Sequence, residues 1–434
     1  MHDVLDLRDM LADEIVQRRE SGHVVAEPDP LVLAAASDGE IRAAIAAVEA
    51  SPRSPDWPYE EPEGLAAISA ARPVPPDRAA LSLADDALLD RLHGAWLGRC
   101  AGCALGKPVE NWPRAELRRY LESFDAYPLT DYVPADGPAP DTFPSLNPSW
   151  PASVRGAIRG MPRDDDLDYT ILGLHILETY GSRFSAADVA REWLGRLPFL
   201  AVYTAERAAY RNLALGLAPP ATATHINPYR EWIGALIRVD AYAYAAAGDP
   251  ERAAALAFED ESVSHTANGV YGAMWAAALI AASFGERTMS AALASALAVI
   301  PPRSRLAEAL GGVAALHAQG LPWESARDAL EDRHGALSPV HSVNNATVVA
   351  AALLWGEGDF TRTIGLAVQG GWDTDCNGAT AGSAFGAMHG AAALPARWTT
   401  PLEDRIASAL SGFDGLRISD LAARTLSVAR TNRP

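Results

Sequence analysis

The chain has 434 residues, 49% of them hydrophobic and 21% charged, which excludes a disordered polymer and predicts one large folded body or two. Its 36 basic residues against 55 acidic ones leave a formal charge of −19. A surplus of that sign works against nucleic acid and anionic membrane surfaces, whose binding is driven by basic patches, so neither is expected as a partner.

In chain order, Met1-His2-Asp3-Val4-Leu5-Asp6 carries acids where a secretory leader carries basic residues and an apolar run, so a soluble cytoplasmic protein is expected. Val4, Leu7, Leu11 and Ile15 recur at spacings of three and four and predict a helix over 3–19, and 31–48 repeats the pattern. Prolines at 52, 55 and 58, then at 73, 75 and 76, end helices and predict a tether. Residues 1–85 are thus expected to form a helical extension attached to a body of residues 86–434. A helix from Asp85 runs through Leu88, Leu92, Trp96 and Leu97 to Cys103. Its Cys100 and Cys103 form a C-x-x-C, but with three cysteines in the chain no second pair completes a zinc site, and both read as packing.

Eight prolines between 128 and 162 predict a long irregular segment over 127–162, of the kind that serves as a lid or binding loop. Helices are predicted over 167–180, 185–194, 201–216, 228–247, 250–260, 269–284, 289–298, 304–319, 323–333, 343–355, 359–369, 378–390 and 402–411. The most apolar stretch, 271–284, is shorter than the roughly 18 residues that cross a bilayer. No segment alternates convincingly as a strand. The expected architecture is all-α, a compact multi-helix globule.

Three stretches carry the chemistry. Asp164-Asp165-Asp166 opens a helix, where acids complement the helix dipole and cap free N–H groups. Three in a row repel one another, and such crowding is relieved by a cation. Gly370-Gly371-Trp372-Asp373-Thr374-Asp375-Cys376 can turn sharply and converge two carboxylates on one point, or be a turn with an Asp cap. Residues 98–110 read as a small-residue helix stopping at Gly106, with Glu110 just beyond it. Polar loops at 227–232, 264–269 and 341–345 precede helices and are suited to lining a cleft.

Together and in this order, these stretches resemble the motifs of the ADP-ribosylglycohydrolase family, over about residues 90–390. Residues 102–110 look like its Gly-Asp-x-x-Gly-x-x-x-Glu, the triple Asp like its Thr-Asp-Asp-Thr, and 371–375 like its Gly-Asp-Thr-Asp. The resemblance implies an all-α fold and two divalent cations, Mg²⁺ or Mn²⁺, held by Asp164, Asp165, Asp166, Asp373 and Asp375. It implies cleavage at C1″ of an ADP-ribosyl or ribosyl-nucleotide substrate, with Glu110 in proton transfer and Asp165 as the second catalytic carboxyl. His265, Asn268 and Asn344 are the expected substrate contacts. Two other readings compete: an N-riboside hydrolase acting on a NAD- or nucleotide-derived metabolite, and a non-catalytic ADP-ribose-binding protein. The chain leaves the family pattern at Cys103 (usually Asp), Asp164 (usually Thr), Cys376 (usually Thr or Ser) and Trp372, inserted before Asp373.

Overall fold

Side-chain caps begin the first helices of the protein, seen in a computed structural model that describes residues 6–26, 36–74 and 81–431. Asp6 accepts from Arg8 N–H to start α1 (Leu7–Glu20), and Ser37 and Glu40 form a reciprocal capping box on α2 (Asp38–Glu49). Residues 3–5 and 31–35 of the two helices predicted here lie outside the described residues. Then follow α3 (Leu65–Ala70), α4 (Asp85–Gly106), α5 (Arg114–Ser123), α6 (Asp165–Tyr180), α7 (Ala186–Arg196), α8 (Thr204–Ala214) and α9 (Ala221–Thr224). The chain continues through α10 (Gly234–Ile237), α11 (Asp240–Ala245), α12 (Pro250–Glu261), α13 (Ala267–Ser283), α14 (Met289–Leu297), α15 (Arg305–Ala318) and α16 (Trp323–His334). It ends with α17 (Ser342–Trp355), α18 (Phe360–Gln369), α19 (Thr374–His389), α20 (Ala396–Thr399) and α21 (Ile418–Thr431). Only isolated β-bridges occur among the described residues, and the fold is all-α. No helix there is long and apolar enough to cross a membrane.

Two predicted helices are corrected. The segment 228–247 is broken into α10 and α11, because its first turns give their backbone groups to neighbours: Arg230 C=O accepts from Thr266 N–H, Glu231 C=O accepts from Ser342 N–H, and Ile233 N–H donates to Val340 C=O. Apolar periodicity continues through the break, which is why the sequence reads as one helix. Over 402–411 no α-helix forms; Ile406 instead bridges Met161 and Leu416. The last helix, α21, was not predicted; it buries Ile418, Leu421, Ala422, Thr425 and Val428.

The device that positions the site is the antiparallel pair α4 and α19. Glycines recur every fourth residue on α4 (Gly94, Gly98, Gly102, Gly106) and on α19 (Gly378, Gly382, Gly386), which lines them along one face of each helix. A Cβ added to Gly98 would sit 2.1 Å from Gly382 O, and one on Gly102 would sit 1.9 Å from Gly378 O. The two backbones therefore touch, and no side chain fits between them. Thr374 Oγ1 closes the end of the seam by donating to Gly106 O at 2.8 Å. Contact along this seam delivers the C-terminal end of α4 to the N-terminal end of α19.

Helix α13 is buried along nearly its whole length and forms the centre of the core. Helices α1 and α2 contribute a smaller apolar cluster, where Met10, Leu11, Ile15, Ile41, Ile45 and Val48 meet Ala205, Ala208, Ile226 and Tyr229. Beside it, Glu231 accepts from Gln17 at 2.8 Å, Ser21 at 2.9 Å, Asn268 at 3.0 Å and Arg305 at 2.6 Å. A buried charge is tolerated when it is paired and hydrogen-bonded in this way.

Candidate active site

Beyond Gly106 the chain makes one tight turn, Lys107–Val109, which presents Lys107 and then Glu110 at the seam. Asp164 caps α6 by accepting from Asp166 N–H at 2.9 Å, so the cap geometry fixes two of the three consecutive acids. Asp373 precedes α19 and Asp375 lies in its first turn. The backbone just before is in the left-handed region at both Gly371 (φ 76°) and Trp372 (φ 62°). A glycine takes that conformation freely, whereas a tryptophan is strained there.

These elements bring one oxygen or sulfur each from Cys103, Asp164, Asp166 and Asp375 within 4.8 Å of one another, and likewise from Asp373, Asp375 and Cys376. Asp375 belongs to both groups. Asp165 is in neither; it is half-buried beside them, its pKa pushed up to about 8 by burial and by the adjacent Asp164. Glu110 is also half-buried, with Asn147 Nδ2 donating to its Oε2 at 2.8 Å and Asn111 Nδ2 to its Oε1 at 3.2 Å. Asn147 comes from the predicted irregular segment, which is anchored where Leu129 N–H donates to Gln369 and Trp112 Nε1 donates to Ser145 C=O.

The electrostatics are those of too many carboxylates in too little water. Repulsion from Asp375, then burial, raises the Glu110 carboxyl well above its ordinary range. Burial, then Asp375, does the same to Asp373, while burial, then Asp164, raises Asp375. Asp166 is raised by burial although Arg99 opposes the shift. Asp164 alone goes the other way: burial works against its charge, but the ammonium of Lys107, hydrogen-bonded to its Oδ2, outweighs that.

Sequence reasoning missed four contributors. Lys107 is one. Arg99, fully buried, donates to Asp166 Oδ1 at 3.1 Å and pairs with Asp240 at 2.8 Å. Asn345 accepts from Asp373 N–H at 3.1 Å and Asn377 Nδ2 at 2.8 Å, clamping the start of α19. Asn147 is the fourth. Cys103 and Cys376, read as departures, fall inside the two groups, and Cys376 Sγ donates to Asp166 Oδ2 at 3.3 Å.

The three expected substrate contacts sit in other networks. His265 Nδ1 faces Ser264 Oγ at 2.9 Å and Glu261 at 3.2 Å, and burial, then Arg238, holds it well below the usual histidine range. Asn268 donates to Glu61 at 2.7 Å and Glu231 at 3.0 Å. Asn344 lies in the first turn of α17 rather than in a loop, and its Nδ2 donates to Ser338 C=O at 2.9 Å.

Residues 84–434 match the family model for ADP-ribosylglycohydrolase. The chain belongs to that family. It is a hydrolase of the glycosidase type, and the motif resemblance is borne out. No functionally curated protein matches it at a significant level. Among solved structures it is similar to a chain of an ADP-ribosylglycohydrolase-related protein complex, with 20% identity over 80% of this chain and 100% of that one, at a TM-score of 0.49.

The family generally uses divalent metal ions, and the donor set suits a hard cation on one side. Asp373 Oδ1 and Asp375 Oδ1 are buried oxygens without a hydrogen-bond donor among the described residues. Buried carboxylate oxygens without a donor, on two residues of one cluster, suit the ligation of such a cation.

Proposed function

We propose that this ADP-ribosylglycohydrolase-family enzyme is a metal-dependent glycohydrolase that breaks the C1″ N- or O-ribosyl bond of an ADP-ribosylated substrate. The observation that carries the reading is the electrostatic meeting of Glu110 with Asp375, Asp164 and Asp165 at the mouth of the α4–α19 seam. Asp373 and Asp375, with Asp164, Asp165 and Asp166 around them, are the residues that would hold Mg²⁺ or Mn²⁺. What such an ion supplies when bound is Lewis acidity toward ribose hydroxyls and a water of lowered pKa.

The chain's own residues do the rest. Asn147 and Asn111 fix the Glu110 carboxyl through Oε2 and Oε1, and the raised carboxyl keeps a proton at a pH where exposed carboxylates have lost theirs. That proton goes to the leaving nitrogen or oxygen as the ribosyl bond breaks. Asp165, half-buried beside the cluster, is the carboxyl available to accept a proton from the incoming water. The carboxylates also offer acceptors for ribose hydroxyls, while the overall charge of −19 disfavours any diphosphate not accompanied by a cation.

The reading is tested by incubating the protein with ADP-ribosyl-arginine, ADP-ribosyl-serine and NAD-type N-ribosides, with Mg²⁺ or Mn²⁺ and then with a chelator. Release of ADP-ribose that disappears on chelation is expected from at least one of them. Cleavage of the diphosphate instead, or no release from any substrate with metal present, would contradict it.

A further inference from the structure

Lys107 is the only lysine in 434 residues; the other 35 basic side chains are arginines. It is buried, and it spends its charge on Asp164 inside the carboxylate cluster. An ammonium is a compact point charge, where a guanidinium is a broad planar fork. A chain that otherwise uses arginine throughout thus keeps its one small cation at the place where a small ion would sit.

The oxygens of the cluster divide accordingly. In the first cluster every oxygen of Asp164 and Asp166 already has a protein donor. Asp164 Oδ1 accepts from Asp166 N–H and its Oδ2 from Lys107; Asp166 Oδ1 accepts from Arg99 and its Oδ2 from Cys376. In the second cluster Asp373 Oδ1 and Asp375 Oδ1 are buried and have none. A buried oxygen without a donor calls for a partner, and beside other carboxylates a cation is the partner that suits it. Lys107 also repels any second divalent ion brought against Asp164, since like charges a few ångströms apart at low dielectric are strongly unfavourable.

We propose that Lys107 is a built-in cation standing in for one of two metal ions, so that the chain takes a single divalent ion, on Asp373 and Asp375. The inference rests on the metal-dependent reading above. It distinguishes Asp164 and Asp166, whose carboxylate oxygens the protein itself supplies with donors, from Asp373 and Asp375, which the ion would hold. Lys107 is then a positioning residue for Asp164 that sets the metal count.

The test is a count. Metal-free protein is equilibrated with Mn²⁺; bound metal is measured per chain by elemental analysis, and the ion's magnetic state by electron paramagnetic resonance. Wild type is expected to hold one Mn²⁺ with an isolated-ion spectrum. Lys107→Met, confirmed as folded by circular dichroism, is expected to hold two, with the spin coupling of neighbouring ions. Two Mn²⁺ in wild type, or a folded Lys107→Met that still holds one, overturns the proposal. Should Lys107→Met fail to fold, the wild-type count and spectrum decide it alone. Two ions together with metal-dependent ADP-ribose release sinks only this inference, whereas no bound ion and no release sinks the functional reading as well.

Discussion

Trp372 holds a left-handed backbone that costs a β-substituted residue on the order of 1–3 kcal/mol, and its ring offsets part of that cost by lying 3.9 Å from the Arg327 guanidinium carbon. Its carbonyl accepts from Asn111 N–H at 3.1 Å, so the strained residue ties Glu110's neighbour to Asp373's neighbour. His341 is a second residue whose chemistry can be read directly. It is fully buried, caps α17 by accepting from Val343 N–H at 3.1 Å, and thereby orients the helix that carries Asn345. Burial lowers its pKa to about 4; Glu231 opposes the shift and Arg305 adds to it. A depressed folded-state pKa means that stability is full above the unfolded value near 6.5 and is lost as pH falls toward 4. Chemical denaturation at pH 7 and pH 4 should differ by about 3 kcal/mol from this group. In His341→Asn, which keeps a capping acceptor, that component of the acid slope should be absent; an unchanged slope would show that His341 is not the group responsible.

At the scale of elements, the glycine seam between α4 and α19 explains why these motifs, some 270 residues apart in sequence, meet (Gly106 O accepts from Thr374 Oγ1, |i−j| = 268). Gly102→Ala would drive a Cβ into Gly378 O, a backbone atom that cannot swing away, and should cost about 3 kcal/mol or more by thermal or denaturant unfolding. Activity should fall with it, because the same displacement parts Glu110 from Asp375. Gly195 in α7 is the control: nothing lies within 4 Å of its added Cβ, so Gly195→Ala should be neutral or stabilise by about 0.5–1 kcal/mol. Equal losses in the two variants would refute the seam argument. The small residues of both helices are visible in the sequence as composition, but periodicity reports only that a face is small, not which helix it meets. Likewise the 228–247 helix fails because its backbone donors and acceptors are taken by segments distant in sequence. The acids Asp164, Asp166, Asp373 and Asp375 were legible because like charges crowd visibly along the chain, whereas Glu110, a lone acid beyond a helix stop, was legible only through the family resemblance. Lys107 is the single lysine of the composition, but it becomes a site residue, like Asn147 and Asn345, only through the fold.

For the whole molecule, the −19 charge separates into a dispersed acidic surface and a few buried acids answered by specific cations: Glu14 by Arg230, Glu231 by Arg305, Asp240 by Arg99, Asp164 by Lys107. The first pair joins α1 to the family fold directly, and Gln17 and Ser21 of the same segment join it through their hydrogen bonds to Glu231. Where hydrogen-bond donors run out, at Asp373 Oδ1 and Asp375 Oδ1, the proposed metal site begins. The most direct measurement of that claim is ADP-ribose release by wild type and Glu110→Gln, each loaded to the same content of Mn²⁺. Release by wild type is expected, with a rate about 10²–10⁴-fold lower in the variant and metal retained. Equal rates in the two proteins, or a metal-loaded wild type that releases nothing, would contradict it.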